Sequence, residues 1–165
     1  MKKILLLTTV LGLLLMNGCA TVTVPENFVP KASSDFNIDI KLYNRSHYVS
    51  LECGYDHLKT LGWLPGYREN LTEGVLVLAD SKILFIVARP EKYEKILEIK
   101  YDEIADILVP TWGAGRRLAI KRKDNCYTFQ IVSGKRIDRG KTYEFYRFIA
   151  NKAHIPIPEK FRDAK

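Results

Sequence analysis

Few residues in this sequence could carry catalysis, and the most suggestive group is Cys53, Asp56 and His57. A cysteine close to a histidine is the arrangement that nucleophilic catalysis uses. Adjacent residues on a strand point to opposite faces, however, and no third group that would orient the histidine is evident. We therefore favour structural or surface roles for these residues. An envelope hydrolase or carrier with a pocket near Asp56 and His57 is the alternative.

Longer catalytic and cofactor motifs are absent from the sequence. It contains no HExxH zinc motif, no GxSxG nucleophile motif, no Walker loop and no CxxC pair. The three histidines, His47, His57 and His154, share no metal-ligand spacing. The sequence thus predicts a protein that is not an enzyme and that uses no metal and no cofactor.

Another cysteine, Cys19, follows a segment built like an export signal. Lys2 and Lys3 precede a mainly apolar run over residues 4–16, and Gly18 stands directly before Cys19. Thirteen helical residues cover roughly 20 Å, which is short of the roughly 30 Å hydrocarbon core of a bilayer. Residues 1–18 are therefore predicted to be a signal peptide and not a permanent membrane span.

Residues 16–19, Met-Asn-Gly-Cys, resemble the lipobox of bacterial lipoproteins. The resemblance implies that Cys19 is acylated and becomes the mature N-terminus, where several acyl chains form a stable membrane anchor. Ala20 follows the cysteine, in place of the aspartate that resembles an inner-membrane retention signal in enteric bacteria. We therefore expect an outer-membrane lipoprotein of the cell envelope that faces the periplasm. A plain secretory signal with an unmodified Cys19 is the alternative.

The two remaining cysteines, Cys53 and Cys126, form an even pair in a chain predicted to be exported. A disulfide between them would close a loop of about 73 residues and stabilise the fold by about 4 kcal/mol in the loop-entropy treatment. The sequence does not show whether the two Cα atoms come close enough for a bridge. The alternative is a pair of free, buried thiols.

Positive charge is concentrated in one part of the chain. Cleavage after residue 18 removes two lysines and lowers the formal charge from +7 to +5. Residues 116–141 alone carry +7, whereas residues 91–106 carry −3. Gathered at one rim of a fold, such cations would attract phosphate-bearing lipid headgroups or an acidic envelope protein. A solvated basic face is the alternative, and nucleic acid is not an expected partner of an exported chain. The candidate residues for an anionic ligand are Arg116, Arg117, Lys121, Arg122, Lys123, Lys135 and Arg136.

The hydrophobic pattern predicts strands and then one helix. Short apolar or alternating runs predict strands at 48–51, 75–79, 83–88, 96–99, 105–109, 118–121 and 127–131. In the last pair, the alternation directs Leu118, Ile120, Tyr127, Phe129 and Ile131 towards a core and Cys126 outwards. Residues 138–153 change to a helical period with Asp138 as the N-cap.

Composition divides the mature chain into three parts. Residues 19–42 contain two prolines and no sustained period, which predicts a lipidated cysteine with a flexible tether. An extension that packs on the domain through Phe28, Phe36 and Ile38 is the alternative. Residues 43–155 form the domain, and residues 156–165 form a C-terminal tail. Several strands followed by one helix predict an α+β fold, with a curved antiparallel sheet or partly open β-barrel capped by a C-terminal helix.

Residues 71–153 resemble bacterial pleckstrin-homology-like domains, close to the GRAM type. The matching segments are the apolar strands at 74–78 and 83–86, the stretch 99–107, the hairpin at 118–131 and the helix around 143–149. The resemblance implies a scaffold that binds lipid headgroups, peptides or partner proteins, usually without catalysis. A membrane-anchored binding module is the main hypothesis, and an accessory structural subunit of an envelope assembly is a second alternative.

Overall fold

The structure is a computed structural model that describes residues 24–52, 71–112, 115–123 and 125–162. Its helices are α1 (Phe28–Phe36), α2 (Arg139–Lys152) and the short α3 (Glu159–Arg162), and a 3-10 turn spans Tyr101–Glu103. Its strands are β1 (Ile40–Glu52), β2 (Thr72–Ala79), β3 (Lys82–Ala88), β4 (Tyr93–Lys100), β5 (Asp106–Leu108), β6 (Thr111–Trp112), β7 (Gly115–Arg116), β8 (Leu118–Arg122), β9 (Asn125–Ser133) and β10 (Arg136–Ile137). Within these described ranges, no helix has both the length and the apolar character to cross a membrane.

Seven strands form one antiparallel sheet that curls into a half-barrel. Their order is β4-β3-β2-β1-β9-β8-β5, and β10 pairs with the end of β9. The two predicted hairpins are present as β2–β3 and β8–β9, with pairs such as Leu78 with Ile83 and Arg122 with Asn125. The predicted α+β fold with a curved antiparallel sheet and a C-terminal helix is therefore confirmed.

The inner face of the half-barrel packs against α2. Leu118, Ile120 and Phe129 of the β8–β9 hairpin are fully buried there, as their alternation predicts. Phe145 and Ile149 fill the same core from the helix. The predicted N-cap is confirmed, because the Asp138 carboxylate accepts a 2.9 Å hydrogen bond from the backbone N–H of Lys141.

The outer face of β2 and β3 is covered by the N-terminal segment, residues 24–39. Phe28 and Ala32 of α1 are buried against Val75 and Ile86. Pro30 fits in the first turn of α1 because the backbone nitrogens of that turn have no partner within the helix. Residues 24–39 are therefore packed on the domain, as in the alternative interpretation, and not extended as the predicted tether.

The C-terminal residues also differ from the predicted tail. Ile157 and Phe161 pack against the main core, and the Phe161 ring lies 5.6 Å from that of Tyr143 and 5.4 Å from that of Tyr146. These contacts place α3 against α2, on the side of the sheet opposite α1. The folded domain thus extends to residue 162, beyond the predicted boundary at 155.

Gly74 lies where the two strands of the β2–β3 hairpin leave no space for a side chain. A Cβ atom there would lie 2.6 Å from the carbonyl oxygen of Ile86 and 2.7 Å from Cζ of Phe85. We expect Gly74→Ala to lower the free energy of unfolding by about 1–3 kcal/mol in urea denaturation, because backbone must move. Gly115→Ala is the comparison, since its Cβ would meet side-chain atoms of Ile137 and no backbone atom among its nearest contacts. Equal stability of Gly74→Ala and the wild type would contradict the close approach.

Candidate binding surfaces

The turn of the β8–β9 hairpin carries two of the candidate basic residues, Arg122 and Lys123. The Arg122 guanidinium makes two 3.1 Å contacts with the Glu103 carboxylate, one through Nε and one through Nη2. Its charge is therefore engaged by the 3-10 turn. Lys123 has a left-handed backbone (φ 51°) and an exposed side chain, and it forms no ion pair with another described residue.

Arg116, Arg117 and Lys121 lie on β7, on β8 and on the residue between them. The Arg116 guanidinium donates to the Thr111 hydroxyl across the β6–β7 pair. Arg117 is only 4% exposed, and its backbone N–H donates to the Pro110 carbonyl over 3.2 Å. Lys121 is half-buried on β8, where it pairs in register with Cys126. These three cations are therefore less accessible to a ligand than the exposed Lys123.

The last two candidates lie on the basic turn, residues 133–136, between β9 and β10. Lys135 and Arg136 are exposed, and neither forms an ion pair with another described residue. Gly134 has a left-handed backbone (φ 60°), which glycine adopts without steric strain. The Ser133 hydroxyl donates a 2.6 Å hydrogen bond to Asp138, and this contact ties the turn to the start of α2.

The basic residues therefore form two groups and not one rim. Asn125 and Ser133 are the ends of β9, and eight residue steps along an extended strand cover about 26 Å. Lys123 precedes this strand, whereas Lys135 and Arg136 follow it. Sequence proximity suggested a single surface, but the length of β9 separates its members.

A polar row on the outer face of β1 joins the N-terminal segment to the basic turn. The Tyr43 ring lies 5.7 Å from that of Phe28 in α1. Arg45, two positions after Tyr43 on the same face, forms an ion pair with Glu73 and donates a 3.3 Å hydrogen bond to the Gly134 carbonyl. His47 Nε2 lies 3.9 Å from the same Glu73 carboxylate. We did not predict this row from the sequence, although alternate polar residues at 43, 45 and 47 are a signal for one strand face.

Cys126 lies on the outer face of β9 but is not solvent-exposed. Cys126 and Thr128 are each 1% exposed, so the outer face of the sheet is buried at these two residues. Burial raises the pKa of the Cys126 thiol to about 12, because the thiolate would lose its hydration. The thiol is free in the structure. Cys53 lies outside the described residues, so the predicted Cys53–Cys126 disulfide stays a prediction.

An open pocket of about 520 Å³ lies where the β2–β3 turn meets the end of α2. Asp80 forms ion pairs there with Lys41 at 3.4 Å and Lys152 at 3.2 Å. The Lys152 and Lys41 hydrogen bonds lower the pKa of the Asp80 carboxyl. The Tyr101 hydroxyl, also at the pocket, donates a 2.8 Å bond to the Ala79 carbonyl. The charges of Asp80 and Lys152 in the pocket are thus engaged with each other.

The remaining candidate residues, and the question of a metal site, complete the comparison with the sequence predictions. Cys19, Asp56 and His57 lie outside the described residues, so the lipidation site and the alternative catalytic pocket stay predictions. In the part of the chain that the structure describes, no three His, Cys, Asp or Glu residues are grouped to hold a metal ion.

The comparisons with known proteins concern the fold alone. No protein-family model matches the sequence, and no curated protein does. A solved structure of Vav1 with an allosteric inhibitor superposes with a TM-score of 0.53 at 10% identity, over 81% of this chain and 35% of that chain. A Vav1 structure that concerns its PH and C1 domains gives 0.49 at 11% identity, over 81% and 34%.

A C-terminal domain from Leishmania infantum gives a TM-score of 0.48 at 12% identity, over 77% of this chain and 94% of that chain. This protein spans about a third of the length of the Vav1 chains that it matches. At such low identity, the likeness carries no information on ligand or partner. The half-barrel with its C-terminal helix is a pleckstrin-homology-like fold.

Proposed function

We propose that this protein is a non-catalytic binding module of the cell envelope, anchored through an acylated Cys19, that holds anionic lipid headgroups with its exposed basic residues. The pleckstrin-homology-like fold supports a binding module. The observation that carries the lipid ligand is the exposure of Lys123, Lys135 and Arg136 without described ion-pair partners. The lipobox-like residues 16–19 support the anchor and, with Ala20, an outer-membrane protein that faces the periplasm.

The magnitude of the electrostatic attraction fits an auxiliary role for these cations. Each basic side chain near an anionic bilayer contributes about 1 kcal/mol, and this attraction fades within about one Debye length. Three such residues give a weak, salt-sensitive interaction. This weak attraction is sufficient when a lipid anchor already holds the domain at the membrane, because the cations then need only to select anionic headgroups.

The proposal is tested with chains that begin at Ala20 and therefore lack the acyl anchor. Lys123→Gln, Lys135→Gln and Arg136→Gln together should weaken binding to phosphatidylglycerol-containing vesicles roughly 100-fold at low salt, because about 3 kcal/mol of attraction is lost. Co-sedimentation with vesicles over a series of salt concentrations is the measurement. Raised salt should weaken the wild type and leave the variant almost unaffected.

A charge-matched control removes three exposed cations of α2 and α3, on the other side of the sheet, with Lys152→Gln, Lys160→Gln and Arg162→Gln. This variant has the same net charge as the first and should keep most of the binding. Equal losses in both variants would mean that only net charge matters. Unchanged binding in the first variant would contradict the basic residues as the lipid site.

A further inference from the structure

The N-terminal segment fixes where a lipid anchor would enter the domain. Val24 packs against the outer cluster of α1, β2 and β3, so the chain is held to the sheet from this residue onwards. Only five residue steps separate Val24 from Cys19, and a fully extended chain covers at most about 18 Å over that distance. A lipidated Cys19 therefore keeps the α1 side of the domain close to the bilayer surface.

We infer that the surface formed by α1 and the basic turn is the face that the domain presents to its own membrane, where Lys135 and Arg136 meet anionic lipid headgroups. This inference rests on the proposed anchor at Cys19. It adds an orientation to the proposed function, because it distinguishes one face of the half-barrel from the other.

Direct contacts place the basic turn on the α1 side of the sheet. Phe28 of α1 contacts the Tyr43 ring, and Arg45 follows Tyr43 on the same face of β1. Arg45 in turn donates to the carbonyl oxygen of Gly134, the residue before Lys135. The turn is thus joined to α1 through Tyr43 and Arg45, along the outer face of β1.

The charges on this face single out the turn as its anion-binding part. Lys31 on α1 lies 3.6 Å from Asp35, and Arg45 is paired with Glu73. Lys92, beside Tyr93 on this face, stands between Glu91 and Glu94 in the sequence, whereas Lys135 and Arg136 are adjacent cations with no ion-pair partner among the described residues. Two adjacent exposed cations on this face are suited to the phosphate groups of lipids and not to the apolar interior of the bilayer.

The opposite side of the domain supplies a matched control. Lys160 lies on α3, which packs against α2 on the inner side of the sheet. Its ammonium group is exposed and lies 5.0 Å from the Phe161 ring. In the inferred orientation the half-barrel separates Lys160 from the bilayer.

The test is amine labelling of the full lipidated protein, followed by mass spectrometry of each lysine. The protein is labelled in vesicles of phosphatidylcholine and phosphatidylglycerol and, separately, in detergent. We expect Lys135 labelling to fall severalfold in vesicles relative to detergent, while Lys160 labelling stays the same. Lys135→Arg in the same vesicles confirms the assignment of the protected peptide.

Intact-mass measurement of the same sample separates the two ways to fail. An unmodified Cys19 in a chain that still begins at Met1 would overturn the anchor and the inference with it. An acylated, vesicle-bound chain in which Lys135 is as reactive as in detergent would overturn the orientation alone. Protection of Lys160 in place of Lys135 would show that the opposite face meets the membrane.

Discussion

Phe28→Ala is expected to lower the free energy of unfolding by about 3–5 kcal/mol, the usual loss for a large aromatic side chain in a core. Phe28 is 1% exposed and packs against the outer face of the sheet. Its ring also lies 5.7 Å from that of Tyr43 and 5.2 Å from that of Tyr93. Replacing the ring leaves a cavity between α1 and the sheet, and urea denaturation measures the loss.

Val29→Ala is the matched control on the same helix, because Val29 is only partly buried. It should cost about 1 kcal/mol or less, in line with its smaller buried area. A Phe28→Ala loss as small as that of Val29→Ala would mean that the N-terminal segment is barely held. The proposed lipid anchor would then hold the domain through a flexible tether, which would contradict the inferred orientation.

The hairpins and the C-terminal helix could be predicted because their signals are local. Alternation over 118–121 and 127–131 fixes which side chains face inwards once one face is buried. The helix needs only a 3.6-residue period and the Asp138 cap. Each of these patterns is complete within a few residues of the chain.

The N-terminal segment illustrates what local patterns miss. Pro25, Pro30 and the serines of α1 resemble a linker in composition. The helix forms because Phe28 and Ala32, one turn apart, bury themselves on the sheet. Most of the stability of a nine-residue helix comes from such packing, which the sequence of the helix alone does not reveal.

The outward direction of Cys126 on β9 follows from the alternation, but its burial could not be predicted, for a related reason. Alternation places Cys126 and Thr128 opposite the core, and an antiparallel sheet commonly exposes that face to water. Here both faces are covered, and the two residues are buried. The candidate anionic site was likewise only partly predictable, because charge along the chain does not reveal which cations the fold pairs internally, such as Arg122 with Glu103.

Raising the pH from 7 to 10 under reducing conditions is expected to remove about 1.4 kcal/mol of stability through Cys126 alone. An unburied cysteine thiol has a pKa of 9.0, and burial raises the pKa of Cys126 to about 12 in the folded protein. Between these two pKa values, the Cys126 thiol stays protonated in the folded protein and is ionised in the unfolded chain. Stability is complete below pH 9 and decreases as the pH rises towards 12. Urea denaturation at a series of pH values is the measurement.

Two comparisons make this pH dependence specific. Cys126→Ala should flatten most of the loss between pH 8 and 10. Tyr101 contributes in the same direction only at higher pH, because burial raises the pKa of its hydroxyl above the ordinary value of 10.0. A wild-type curve that is already flat under reducing conditions would contradict the burial of the thiol.

The same titration without reductant decides between the two predicted states of Cys126. A disulfide with Cys53 contains no titratable thiol, so the oxidised protein would lose no stability through Cys126 as the pH rises. Addition of a reductant would then make stability decrease again as the pH rises. It would also lower stability at neutral pH by up to about 4 kcal/mol, since the 73-residue loop is opened. Identical curves with and without reductant would show that Cys126 is a free thiol in the native protein, and would contradict the bridge.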